Sequence, residues 1–275
     1  MKFSNDAGSC VARLRGDVGM IGSFVAADDP PAVTSMLHDA ARWLREQGAK
    51  QVIGPMDGDT WHRYRVNAGP FDEPPFLLEP VNPPYYDALW RAAGFEVTDA
   101  YTSKRIHDVA FLASMLGDMY ERSRKRGYRF RFIEPWRLQE ELELVWRLTT
   151  EIFRENAWYS DISLEDFLKL YDGVEELLIR ELVLFAEFKG EPVGFLFAYP
   201  DDDPFTVNYK TIGVVPAHRN GHVAWAMLYQ AYWYALTIDR RIANHCLMHE
   251  YNSSQAMDIC QGETFRNYYL YALPE

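Results

Sequence analysis

The segment KTIGVVPAHRNGHVAW, Lys210 to Trp225, constrains the fold more than any other part of the chain. An apolar strand ends at Pro216, and within three residues a helix, Arg219 to Ile238, is expected to begin. Such a joint gathers the unpaired N–H groups of the first helical turn at one point. The positive end of the helix dipole lies there too, so the joint fits an anion such as a pyrophosphate. Gly221 and Ala224 are small enough to let a backbone approach that ligand closely.

Val214-Val-Pro-Ala-His-Arg219-Asn-Gly-His-Val-Ala224 resembles the acyl-CoA-binding segment of the GNAT superfamily of N-acyltransferases. The family pattern is an apolar strand, a proline, then Arg/Gln-x-x-Gly-x-Gly/Ala opening a long helix. Arg219 takes the first position and Ala224 the sixth. The fourth, usually glycine, is His222, and Gly221 falls at the third. The resemblance extends to the order of elements across residues 128–275. It implies an α/β (α+β) fold with a mixed, mostly antiparallel twisted sheet flanked by helices. It also implies acetyl-CoA, or another acyl-CoA, as a substrate. The pantetheine arm would pair with the backbone of Ile212, Gly213 and Val214. The pyrophosphate would meet Arg219, Asn220, Gly221, His222, Val223 and Ala224, and Asn252 stands where relatives have an asparagine that touches the cofactor or caps the last helix.

The rest of the chain supplies what such a fold needs. At 275 residues it can form one large domain or two ordinary ones, and 15% aromatic residues provide for a sizeable core. A net charge of −12 argues against duplex nucleic acid as a partner. Three scattered cysteines, Cys10, Cys246 and Cys260, give no disulfide framework. No apolar run serves as a signal peptide or membrane span, so a cytoplasmic location is expected.

Along the chain, Cys10–Arg15 and Met20–Ala26 read as a hairpin. Asp28-Asp29-Pro30-Pro31 opens a helix whose apolar face is Val33, Met36, Leu37, Ala40, Ala41 and Leu44. After a short strand at 51–55, residues 56–82 read as one long aromatic, proline-rich connection. Helix 83–93, strand 95–106 and helix 108–126 follow. From Tyr128 come a strand, helices at 137–155 and 164–178, three strands, the long helix, strand 242–250, helix 253–261 and strand 264–272.

The two halves end alike. Ala88, Gly94 and Tyr101 have the spacing of Ala256, Gly262 and Tyr269. Residues 1–108 therefore read as a shortened, degenerate copy, 109–127 as a linker helix, and 128–275 as the complete copy. In the first copy the anion turn is replaced by Asp28-Asp29-Pro30-Pro31. Its carboxylates repel phosphate and its prolines lack N–H donors.

Acyl transfer to an amine needs a base for the ammonium proton and an acid for the leaving thiolate. Family relatives place a carboxylate on the strand before the motif and a tyrosine four residues before the glycine that ends the last helix. Those positions hold Asn208 and Asp258 here. Glu250 and His249 are the alternative bases, and Tyr209 and Tyr269 could offer hydroxyls. The pairs His218/His222 and His245/His249 have four-residue spacing but lie on a turn and a strand, so no metal is expected. Arg122, Arg124, Lys125 and Arg126 complement a helix end or contact an anion such as the CoA 3′-phosphate. The helix from Val223 to Tyr234 is almost without a polar face, so it needs cover all round, from the first half or a second subunit as in a homodimer. The expected partner is a small-molecule or peptide amine. A non-catalytic acyl-CoA sensor and an interaction scaffold are the alternatives.

Overall fold

A computed structural model of the chain describes residues 1–251 and 262–274. The expected helix 253–261, with Ala256, Asp258 and Cys260, and the candidate Asn252 lie outside the described residues. Contacts divide the described chain into two compact units: residues 1–103, 247–251 and 264–274 form unit 1, and residues 104–246 and 262–263 form unit 2.

Unit 1 opens with strands β1 (Lys2–Asn5), β2 (Gly8–Arg15) and β3 (Val18–Ala26), a meander of antiparallel pairs. Helix α1 (Pro30–Glu46) starts where the prolines predict. Asp29 caps it by accepting from Ala32 N, and Pro30 and Pro31 occupy positions where no N–H is needed. Its buried residues are Val33, Met36, Leu37, Ala40, Ala41 and Leu44, the face read from the helical period. They lie on β2 and β3, and the chain returns as β4 (Gln51–Gly54), parallel to β3.

The expected unstructured connection contains a short strand, β5 (Val66–Gly69). Helix α2 (Tyr86–Ala92) and strand β6 (Glu96–Ile106) follow, the helix being stopped by Gly94 at φ +79°.

Unit 2 begins with α3 (Val109–Lys125), capped by Asp108, which accepts from Phe111 N. Strand β7 (Tyr128–Phe132), helices α4 (Leu138–Ile152) and α5 (Leu164–Leu170), and strands β8 (Val183–Phe188), β9 (Glu191–Pro200) and β10 (Thr206–Val214) follow. The expected helix 164–178 stops at Leu170 because Gly173 adopts φ +78°, after which the chain makes a short 3-10 turn. Strands β7 to β10 form an antiparallel meander, and β11 (Ile242–His249) joins β10 in parallel after the long helix α6 (Val223–Thr237). The last strand, β12 (Glu263–Leu273), packs in unit 1 although it ends the stretch read as the complete second copy. There it pairs with β4 and β5, giving the order β1-β2-β3-β4-β12-β6. Trp90 of α2 stacks on Tyr271 of β12 at 5.7 Å.

The cover on α6 differs from the expectation. One side lies on β8, β9 and β10, and the other is covered by α3, the segment read as a linker. Tyr120 and Tyr229 stack across this contact at 4.8 Å, and Gln230 Nε2 donates to the Tyr120 hydroxyl at 3.2 Å. Trp233 and Thr237 are the exposed residues of α6. This described cover comes from within unit 2.

A buried ion pair holds the loop before α2 onto β12. Arg266 Nε donates to Glu79 Oε1 at 3.0 Å, with the two side chains 1% and 0% exposed. Arg266 also donates to the carbonyls of Pro70, Glu73 and Pro74, while the Tyr268 hydroxyl and Phe76 N donate to Glu79. Removing one member of such a pair leaves the other charge uncompensated in the interior. Arg266→Ala is expected to destabilise the protein by about 3–5 kcal/mol in urea unfolding, and Arg266→Lys should recover only a small part because ammonium cannot reproduce the planar fork.

Candidate functional site

The motif lies wholly in unit 2. Strand β10 pairs with β9 along its length, with a bulge between Tyr209 and Thr211. On its other edge it pairs with β11 only from Thr206 to Tyr209. Past the bulge, Thr211 to Val214 pair with β9 alone among the described residues. This open stretch contains Ile212, Gly213 and Val214, and an extended ligand could add to it as a strand. Helix α4 closes over one face there: a Cβ on Gly213 would come within 2.8 Å of Ile152.

The joint after β10 is built differently from the expected direct turn. Residues Pro216–Gly221 form a 3-10 turn, and α6 starts only at Val223, with His222 as its N-cap. His222 adopts φ +58°, ψ +19°, the left-handed conformation. Glycine occupies this position in the family pattern, and the geometry supplies the reason: an L side chain is strained there. Among the described residues no side chain caps the helix, so the N–H groups of its first turn, at Val223 and Ala224, are open to a ligand or solvent. Gly221 is required by packing, since a Cβ would sit 2.7 Å from the Tyr128 hydroxyl. That hydroxyl shares a hydrogen bond with His218 Nδ1 at 2.9 Å.

Arg219 closes the turn inward. Its Nε reaches Val214 O and its Nη2 reaches Ile152 O, both at 3.3 Å. Asn220 accepts from Arg126 Nη1 at 2.8 Å, which places the end of the basic run beside the α6 N-terminus. Arg122 is occupied with Asp118 at 2.7 Å.

The catalytic candidates divide between the units. Tyr209 is in unit 2, stacked on His245 at 5.2 Å, and its hydroxyl is buried with no hydrogen-bond partner among the described residues. Burial pushes its phenol well above the ordinary tyrosine range. His249, Glu250 and Tyr269 are in unit 1. His249 Nε2 is 2.8 Å from Asp99 Oδ1, and Nδ1 accepts from Tyr251 N, so Nε2 carries the proton towards the carboxylate. Glu250 is pinned at β6, its N–H donating to Ala100 O and its Oε1 accepting from Ala100 N. Tyr269 packs near Tyr271 and the Arg91 guanidinium.

Sequence reasoning missed the surroundings of Asn208. Asn208 Nδ2 donates to Asp201 Oδ2 at 2.6 Å, and Asn208 Oδ1 accepts from Asn244 Nδ2 at 3.0 Å. Asn244 Oδ1 in turn accepts from Arg105 Nε at 3.0 Å. Two amides thus link a guanidinium to a carboxylate across the sheet. The only signal was Asn208 and Asn244 at matching positions of strands that proved to be neighbours. On the opposite face His245 Nε2 meets the Tyr232 hydroxyl at 2.6 Å, and burial pushes its imidazole down to about 3. His245 and His249 therefore have separate partners, Tyr232 and Asp99.

No known protein-family model matches the chain. Two curated relatives are similar to it: the bacterial ceramide synthase of Caulobacter vibrioides (26% identical, 69% of this chain, 48% of the relative) and protein YghO of Escherichia coli (24%, 67% and 47%). The chain thus spans about half the length of the curated relatives it matches. Among solved structures, a GCN5-related N-acetyltransferase from Sphaerobacter thermophilus superposes with TM-score 0.57 at 12% identity, over 97% of this chain and 76% of that one. A tandem GNAT protein from the clavulanic acid biosynthesis pathway gives 0.53 at 13% identity, over 97% and 78%. The chain has the GNAT fold.

Two outcomes are expected from this geometry. His222→Gly should be more stable than His222→Ala by about 1 kcal/mol in chemical unfolding, because both lose the imidazole and only alanine retains the left-handed strain. His245 binds its proton at about 3 when folded and near 6.5 when unfolded, so the unfolded chain holds more protons between those values. Stability should therefore fall as pH drops through that window, and His245→Gln should flatten the slope by up to about 1.4 kcal/mol per pH unit.

Proposed function

We propose that this chain, with its GNAT fold, is an acyl-CoA-dependent N-acyltransferase whose donor site lies in unit 2. The observation that carries the reading is the open edge of β10, Thr211 to Val214, followed through the 3-10 turn Pro216–Gly221 by an α6 N-terminus that no described side chain caps. The pantetheine arm would extend along Ile212, Gly213 and Val214, and the pyrophosphate would meet the first N–H groups of α6. Arg126, which already reaches the Asn220 carbonyl, adds positive charge beside that turn. The departure at His222 leaves the path of the backbone intact, because histidine adopts the conformation that glycine would.

The reaction is direct transfer. The amine nitrogen attacks the thioester carbonyl carbon, the C–S bond breaks as the tetrahedral adduct collapses, and CoA leaves as thiolate. The ammonium proton passes to a base and the thiolate takes one up. Tyr209 remains protonated under its burial, which fits an acid better than a base. The Arg105–Asn244–Asn208–Asp201 chain holds β10 and β11 in register beside the bulge and is assigned a positioning role. Acetyl-CoA is the expected donor. The ceramide-synthase relative brings long-chain acyl-CoA and long-chain amino alcohols into the same panel.

Thermal unfolding with CoA and acetyl-CoA tests the donor site: about 2.7 kcal/mol of stabilisation is expected at a hundredfold excess over Kd. An interaction scaffold gives no shift. Thiol release from acetyl-CoA and palmitoyl-CoA with short and long-chain amines then separates an enzyme from a sensor, since a sensor binds without turnover.

A further inference from the structure

The loop between β5 and α2, residues 70–82, has its burial inverted. The Glu79 side chain is fully enclosed against Arg266. Its neighbour Leu78 stands 48% exposed, Val81 64% and Phe71 41%. Leu78 has φ +65°, a region that bulky side chains rarely enter. The Arg266 bonds to the carbonyls of Pro70, Glu73 and Pro74 brace the loop from beneath. The interior under Leu78 is thus occupied by an ion pair, and the apolar side chains cannot fold into it. A single exposed leucine needs no explanation, but several apolar side chains on one braced loop mark an interaction site.

Size and charge select the partner. Even with Leu77, which is 46% exposed, the loop presents four partly exposed large apolar side chains, far short of the about 800 Å² per partner that a standard protein interface buries. They suit shallow insertion at a lipid surface, where a few apolar side chains enter the boundary between headgroups and acyl chains. From Val66 to Trp90 the sequence has no lysine or arginine, and Asp72 and Glu73 are exposed on the loop. With a net charge of −12, the chain is repelled by anionic headgroups. We propose that the loop 70–82 docks on a zwitterionic lipid surface by inserting Phe71, Leu78 and Val81. The inference rests on unit 1 alone and stands apart from the donor site in unit 2.

Co-sedimentation of the full chain with phosphatidylcholine vesicles tests it. Binding is expected at low and at high salt, weaker when phosphatidylglycerol is added, and lowered roughly tenfold or more by Leu78→Ser with Val81→Ser. Phe71→Ser, on the other arm of the loop, should act in the same direction and serves if the double variant fails to fold. Absence of binding by the unaltered chain, or equal binding by folded variants, overturns the proposal. So does a concentration-dependent dimer that the serine variants abolish without any vesicle binding, which would assign the loop to a second copy of the chain.

Discussion

Burial of a helix with almost no polar side is the constraint on which unit 2 depends. A helix of that kind cannot sit on the surface of a sheet, because its outer side would remain in water. Helix α6 is therefore held between β8–β10 and α3. The consequence reaches the proposed donor site. The antiparallel course of α3 brings its last residues to the first turn of α6, where Arg126 reaches the carbonyl of Asn220. The same packing that stacks Tyr120 on Tyr229 thus places Arg126 beside the turn proposed to bind phosphate. A segment that reads in the sequence as a connector supports the proposed site.

The turn itself shows how a departure from a sequence pattern is absorbed. Glycine serves at left-handed positions because it carries no Cβ. His222 occupies such a position at a strain of order 1 kcal/mol, small beside the apolar burial of α6 around it. Gly221 cannot take over the role: it lies under Tyr128, where any side chain collides. The two neighbours therefore answer different demands, one conformational and one steric, and the pattern position alone does not distinguish them.

Much of this architecture was legible because it is local. The face of α1 follows from the spacing of Val33 to Leu44, its start from Asp29 and the prolines, and the β10–α6 joint from Pro216 and the residues after it. What escaped is non-local. Nothing in the stretch 263–273 says that β12 pairs with β4, because its alternation would serve equally well in either unit. The match of Glu79 with Arg266 spans 187 residues, and that of Arg105 with Asn244 spans 139. The start of α6 was placed four residues early, because helical periodicity does not separate a 3-10 turn from the α-helix that follows it. The stacking of the Tyr209 ring on His245 is likewise non-local, since the two residues lie on neighbouring strands and 36 positions apart.

The polar chain from Arg105 to Asp201 suggests why Asn208 can replace a carboxylate on this strand. A buried carboxylate at that position would need a cation or several donors to remain ionised, and would otherwise take up a proton. An amide needs one donor and one acceptor, and it finds both, in Asn244 and Asp201. Its hydrogen-bonding character does not change with pH, so the contact between β10 and β11 persists whatever happens to nearby titrating groups. The pairing of β10 with β11 ends one residue further on, at Tyr209, and the open edge begins past the bulge at Thr211. Asn208 therefore trades the ability to accept a proton for a fixed geometry. In the proposed reaction, proton transfer would rely on groups outside this strand position.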